Sequence, residues 1–260
     1  MGRIALGLEY DGTKFNGWQV QPKQRTVQGC LIEAISYVAN HDVKTVAAGR
    51  TDSGVHALQQ VVHFDTKAER EERNWVLGLN THLPKDVNVT WAKSVGEEFS
   101  ARFTATSRSY RYLILNRVSR SSIHHNKMWW FTQSLDVKLM QEAANLMVGH
   151  HDFSAFRAKE CQAHDPVKTM EYIKISKQGD CIAIDVKAQS FLHHMVRNIV
   201  GVLAPIGDGR EPVSWALDVL ESRDRTQGGV TAPPEGLYFV NAHYPTEYAF
   251  PTVSTFPVVW

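Results

Sequence analysis

A chain of 260 residues, 43% hydrophobic and 21% charged, can bury a core in one large domain or two modest ones. Its 28 lysines and arginines against 27 acidic residues leave a formal net charge of +1, so total charge marks no polyanion partner. No run is apolar over the length of a membrane span, and three scattered cysteines, Cys30, Cys161 and Cys181, argue against a disulfide framework or a four-thiolate metal site.

In chain order, apolar and β-branched patterning predicts a strand near Arg3 to Tyr10. A helix follows near Val27 to Ala39, where Val27, Leu31, Ile35 and Val38 recur at helical spacing. Strands are expected near Val43 to Ala48 and Gln59 to Thr66, then a helix near Glu71 to Leu79 and a strand near Val87 to Val95. That order is β-α-β-β-α-β. The second half gives a strand near Ser107 to Asn116 and a helix near Asp136 to Val148, with Leu139, Ala143 and Met147 as its apolar stripe. Strands near Lys168 to Lys177 and Cys181 to Ala188, a helix near Phe191 to Ile206 and a strand near Leu237 to Tyr244 repeat the order, with an extra helix near Val213 to Ser222. The expectation is an α+β fold of two ferredoxin-like βαββαβ units, sheets joined edge to edge, helices on one face and an open face or cleft on the other. The seam falls at Gly96 to Thr106, giving subdomains over residues 1–105 and 106–248 and a tail over 249–260.

The balanced charge hides an asymmetry. Between Glu98 and Asp136 there is no acidic residue, while Arg102, Arg108, Arg111, Arg117, Arg120 and Lys127 are interleaved with Phe103, Tyr110, Tyr112, Trp129 and Trp130. That mixture grips phosphates and stacks bases, unless acidic patches elsewhere in the chain fold over it.

The most informative stretch is Ala48-Gly49-Arg50-Thr51-Asp52-Ser53-Gly54-Val55-His56, where two glycines bracket an arginine and an aspartate on a turn between strand-like runs. Farther on, at about 100° per residue, His193, Arg197 and Gly201 line up on one stripe of the helix expected from Phe191. A glycine one turn from an arginine lets another chain segment or a nucleotide come close to it.

The aspartate turn resembles the signature loop of the tRNA pseudouridine synthases. Leu8 to Phe15 and Gly17-Trp18-Gln19 resemble that family's opening strand and turn, and Ser107 to Tyr112 its central tyrosine strand. Phe191 to Gly201 resembles its arginine helix, and Pro234 to Phe239 its closing strand, so the likeness runs from about Ile4 to Tyr244. The resemblance implies the pseudouridine synthase fold, with a central RNA-binding cleft, and isomerisation of uridine at positions 38, 39 and 40 of the tRNA anticodon stem-loop by a homodimer. It implies that Asp52 is the catalytic carboxylate, Arg197 the cation beside it, and Tyr110 a pocket residue that also takes part in the reaction. Arg50, Arg108 and His56 are the remaining substrate contacts expected.

The chemistry suits these residues. Breaking the C1′–N1 bond and rejoining the base through C5 involves no net redox change and no added group, so no cofactor is expected. An ionised carboxylate could attack C1′, attack C6 of the base, or take a proton from C2′. A guanidinium nearby would keep it ionised. The target nucleotide must be turned out of its stack into a pocket. Tyr110, sharing a strand face with Arg108 and Tyr112, offers a ring and a hydroxyl to receive it.

The pairs His124-His125, His150-His151 and His193-His194 lack metal-ligand spacing, and no Pro-Cys-x-x-Cys accompanies them, so no metal site is expected. One departure from the family pattern stands out: Gly17-Trp18-Gln19-Val20-Gln21 carries Val20 where many members have arginine, with Lys14, Lys23 and Arg25 close enough in sequence to compensate. The rival reading is a non-catalytic RNA-binding protein of the same fold, which would need no Asp52. The cysteine usage and the N-terminal sequence point to a cytoplasmic protein.

Overall fold

The computed structural model describes residues 1–161 and 163–251, so most of the tail expected over 249–260 lies outside the described residues. The chain forms two compact units, one of Met1–Thr106 with residues 238–251, the other of Ser107–Leu237.

In the first unit, β1 (Gly2–Tyr10) lies antiparallel between β4 (Val87–Val95) and β3 (His56–Thr66). The far edge of β3 takes β2 (Thr45–Ala47) antiparallel and β10 (Leu237–His243) parallel, the latter with Tyr238 opposite His56. Helices α1 (Val27–Ala39) and α2 (Glu72–His82) cover the face carrying Leu6, Leu8, Val62 and Phe64. Thr26 starts α1 by accepting the Gly29 N–H, and Asn40 ends it in the left-handed region. Phe64 meets the buried Trp75 of α2 edge to face at 5.2 Å.

The opposite face of this sheet is not bare. Phe99, Tyr244 and Phe250 pack on one another at 5.2–5.3 Å, Phe250 stacks on Trp91 at 4.9 Å, and Tyr244 donates to the Ala101 carbonyl. Buried His63 lies edge-on to Phe99, and its Nδ1 accepts the Ala101 N–H at 3.0 Å. Burial, and then the Arg3 charge, push its imidazole below the ordinary value of 6.5. Because the fold favours the neutral ring, its contribution is complete above that value and is lost as pH falls through it toward the folded one. Thermal unfolding of the wild type should therefore weaken on acidification below 6.5, and His63→Gln should flatten part of that slope. An unchanged slope would mean that other groups set it.

The second unit is built on β5 (Ser107–Asn116), β9 (Cys181–Ala188), β8 (Val167–Gln178) and β7 (Gly149–Asp152), antiparallel in that order, with β6 (Trp129–Phe131) parallel to β5. Helix α3 (Val137–Asn145) packs on β8 and on α4 (Met195–Gly207), and α5 (Trp215–Ser222) follows. Asp136 caps α3 by accepting from the Lys138 and Leu139 N–H groups. Helix α4 starts four residues later than its pattern suggests, because His194 stands at φ 62 in the left-handed region. His193 is consequently off the helix, and only Arg197 and Gly201 of the expected stripe lie on it.

Candidate active site

Asp52 sits half-buried in the turn between β2 and β3, and a second loop, residues 11–18, holds that turn at several points. Trp18 N–H donates to the Thr51 carbonyl at 3.0 Å, and the Ser53 hydroxyl donates to the Phe15 carbonyl at 3.0 Å. Tyr10 shares a 2.7 Å hydrogen bond with the Thr51 hydroxyl, and its full burial pushes the phenol pKa well up, keeping it neutral. The Val55 N–H closes the turn onto the Asp52 carbonyl at 3.2 Å, and Gln60 Nε2 donates to the Gly49 carbonyl. Gly17 makes the approach possible: it stands at φ +79, and a Cβ there would lie 2.8 Å from the Thr51 carbonyl oxygen. The loop reaches α1 as well, since Gly17 and Trp18 carbonyls accept from Val27 and Gln28.

His56 follows the turn and is 2% exposed. Its Nδ1 accepts the Gly12 N–H at 3.1 Å, and its ring stacks on Tyr238 at 4.7 Å, so it braces the base of the turn. Arg50 is exposed and makes no hydrogen bond or ion pair with a described residue. Sequence reasoning finds Asp52, Arg50 and His56 but not the hold exerted by Tyr10 and Gly17. The signal is present in Tyr10-Asp11-Gly12 and Gly17-Trp18, where it registers only as family motifs.

In the second unit, β5 presents Tyr110 half-buried, edge-on to Phe191 at 4.9 Å. Two residues earlier, Arg108 donates to the Gln189 carbonyl at 3.0 Å. Tyr112, expected on the same face, is fully buried and donates its hydroxyl to the Pro233 carbonyl at 2.7 Å. Burial raises its pKa well above the ordinary phenol value, which suits a packing role. Arg197, in the first turn of α4, donates Nε to the Ala232 carbonyl at 2.7 Å, while Ala232 N–H returns to the Arg197 carbonyl at 3.2 Å. The segment admitted by Gly201 is the chain itself: a Cβ on that glycine would lie 1.9 Å from the Val230 carbonyl oxygen.

The basic interval is only partly available to RNA. Arg111 forms a bidentate pair with Asp185 across β5 and β9 at 2.7 and 2.9 Å, and Arg117 lies 3.6 Å from Asp180. Acidic residues from elsewhere in the chain do cover those two cations. Arg25, one of the three cations close enough in sequence to compensate for Val20, is engaged by Asp86 at 2.7 and 2.9 Å and lies 3.9 Å above the Phe15 ring. Val20 itself is 47% exposed. Exposed Arg120 makes no side-chain hydrogen bond or ion pair with a described residue. RNA affinity should fall steeply with salt, and Arg120→Ala should reduce the slope of log K against log salt by about 1. Arg111→Ala should leave that slope unchanged and lower thermal stability. Equal effects of the two substitutions on the slope would overturn this division.

In the first unit a braced turn presents a half-buried aspartate suited to acid–base or nucleophilic chemistry, and in the second an arginine is fixed on a helix. A family model described as tRNA pseudouridine synthase matches residues 8–104 and 143–245. The chain is 54% identical over 258 residues to a tRNA pseudouridine synthase A of Nitrosococcus oceani, covering 99% of this chain and 100% of that one. It is 52% identical to one from Alcanivorax borkumensis (96% and 94% covered) and 51% identical to one from Pseudoalteromonas atlantica (98% and 97% covered). The chain belongs to the tRNA pseudouridine synthase family. It is an isomerase that acts on tRNA.

Proposed function

We propose that this enzyme converts uridine to pseudouridine at positions 38, 39 and 40 of the anticodon stem-loop, with Asp52 as catalytic nucleophile. Arg197 supplies the cation that keeps that carboxylate ionised, and Tyr110 receives the extruded base, its edge already fixed by Phe191. Arg50 and Arg108 support the opened RNA, and His56 steadies the turn that carries Asp52. The enzyme works as a homodimer in the cytoplasm.

One observation carries the reading: the chain holds the backbone of the Asp52 turn by hydrogen bonds from Trp18, Ser53 and Gln60 while leaving its side chain half-exposed. Such a carboxylate is oriented before substrate arrives, which is where positional catalysis gains most. Sequencing pseudouridine at single-nucleotide resolution, in tRNA incubated with the purified protein, tests the target. Product confined to positions 38 to 40 is expected, and product at other positions would replace the assignment.

Arg197→Lys should be slowed by about a hundredfold, because an ammonium cannot reproduce the guanidinium fork or retain its Nε bond to Ala232. Single-turnover rates at saturating enzyme check this. A lysine variant as fast as wild type would leave Arg197 without a part in the reaction.

A further inference from the structure

We propose that Asn198, Arg225 and Thr231 form a positioning cluster that holds residues 228–232 against α4 and thereby aims the Arg197 guanidinium. The charge pattern does not point to these three residues, and of the family motifs only the arginine helix includes one of them, Asn198. Arg197 is tied to Ala232 twice, by its Nε and by its carbonyl, so the place of Ala232 helps to set the plane of its guanidinium. Ala232 belongs to no helix or strand, and its place depends on what holds the preceding residues.

Two devices hold them. Gly201 and Gly229 let the two backbones touch: a Cβ on Gly229 would lie 2.1 Å from the Gly201 carbonyl oxygen. Beside that contact, the Thr231 hydroxyl donates to Asn198 Oδ1 at 2.7 Å, and Arg225 Nη2 donates to Asn198 Oδ1 at 3.0 Å and to Thr231 Oγ1 at 2.9 Å. Asn198 is 2% exposed, immediately follows Arg197, and is anchored through Nδ2 to the Phe156 carbonyl at 2.8 Å. Arg225 forms no ion pair with a described residue, so neutral oxygens of Asn198 and Thr231 carry the burden of its half-buried charge. A cation placed this way makes the cluster costly to open, since either oxygen, once removed, leaves donors unmet. Thr231 is the residue before Ala232, and fixing it fixes the acceptor of the Arg197 Nε bond.

The consequence for turnover rests on the proposed role of Arg197, whereas the positioning itself does not. Thr231→Val keeps shape and removes the hydroxyl, and Thr231→Ser keeps the hydroxyl. The Arg197 Nε–H signal in nitrogen-15-edited spectra is assigned by its loss in Arg197→Lys. Its exchange with water should be about fivefold or more faster in Thr231→Val and unchanged in Thr231→Ser. With tRNA, Thr231→Val should lose kcat on the order of tenfold while KM stays within about twofold, and Thr231→Ser should restore the rate. Unchanged Nε–H exchange in Thr231→Val, or equal behaviour of the two variants, overturns the proposal. Faster exchange with undiminished kcat would uphold the positioning and remove Arg197 from the reaction instead. If Thr231→Val does not fold, Arg225→Met carries the same measurements.

Discussion

Asp52→Asn should form no pseudouridine while still binding tRNA within roughly tenfold of the wild type, about 1.4 kcal/mol. The substitution keeps the size of the side chain and removes the nucleophile together with its charge. Thr51, Ser53 and Gly49 make the contacts to residues 10–18 and Gln60, and Asp52 contributes its backbone carbonyl to the Val55 N–H. The variant should therefore keep the loop in place and lose chemistry alone. Binding is measured by filter retention at fixed salt, because phosphate contacts make affinity meaningless without it. Mass spectrometry must exclude deamidation back to aspartate. Residual activity above about a tenth of wild type, some 1.4 kcal/mol of barrier, would move the catalytic centre away from this turn.

Much of this architecture is legible in the sequence because its elements carry strong local patterns. Helix α1 is bounded by Thr26 and Asn40, a capping hydroxyl and a residue tolerant of the left-handed region, and its observed limits match the periodic run. Strands β4 and β9 likewise follow their β-branched runs, and β5 its tyrosines and aliphatic residues. The strands that patterning does not announce, β6 and β7, have three and four residues, too few for alternation to register, and β7 is Gly-His-His-Asp, with no β-branched residue. Helix α4 misleads at its start because Phe191 and Leu192 extend the apolar period, while the left-handed backbone of His194 is a tertiary outcome. In the site, the chemistry-bearing residues are readable as motifs, but their supports are not. Tyr10 and Thr51 are 41 positions apart, Asn198 and Thr231 are 33, and no local pattern pairs them. The charge of Arg111 is readable, and its cancellation by Asp185, 74 residues away, is not.

Those long-range supports lead to the other large expected effect, at Gly17. Gly17→Ala should slow turnover by about a hundredfold with little loss of tRNA affinity, because an ångström of displacement in a catalytic group costs on that order. Two penalties coincide at this position. The backbone stands at φ +79, where a Cβ costs roughly 1 kcal/mol, and the added methyl would sit 2.8 Å from the Thr51 carbonyl oxygen and 3.1 Å from backbone atoms of Asp52 and Ser53. Backbone cannot yield as a flexible side chain would, so the turn bearing Asp52 must move, and the Trp18 N–H bond to Thr51 must lengthen with it. Gly209 separates the two penalties, since it has φ +80 and an added methyl there would meet nothing within 4 Å. Gly209→Ala should lose stability by a similar 1 kcal/mol or so from the dihedral alone and keep its rate. Thermal unfolding and single-turnover kinetics on both variants decide the matter. If the two lose stability equally and both retain activity, the close approach of residues 11–18 does not orient Asp52, and the braced turn is a packing feature only.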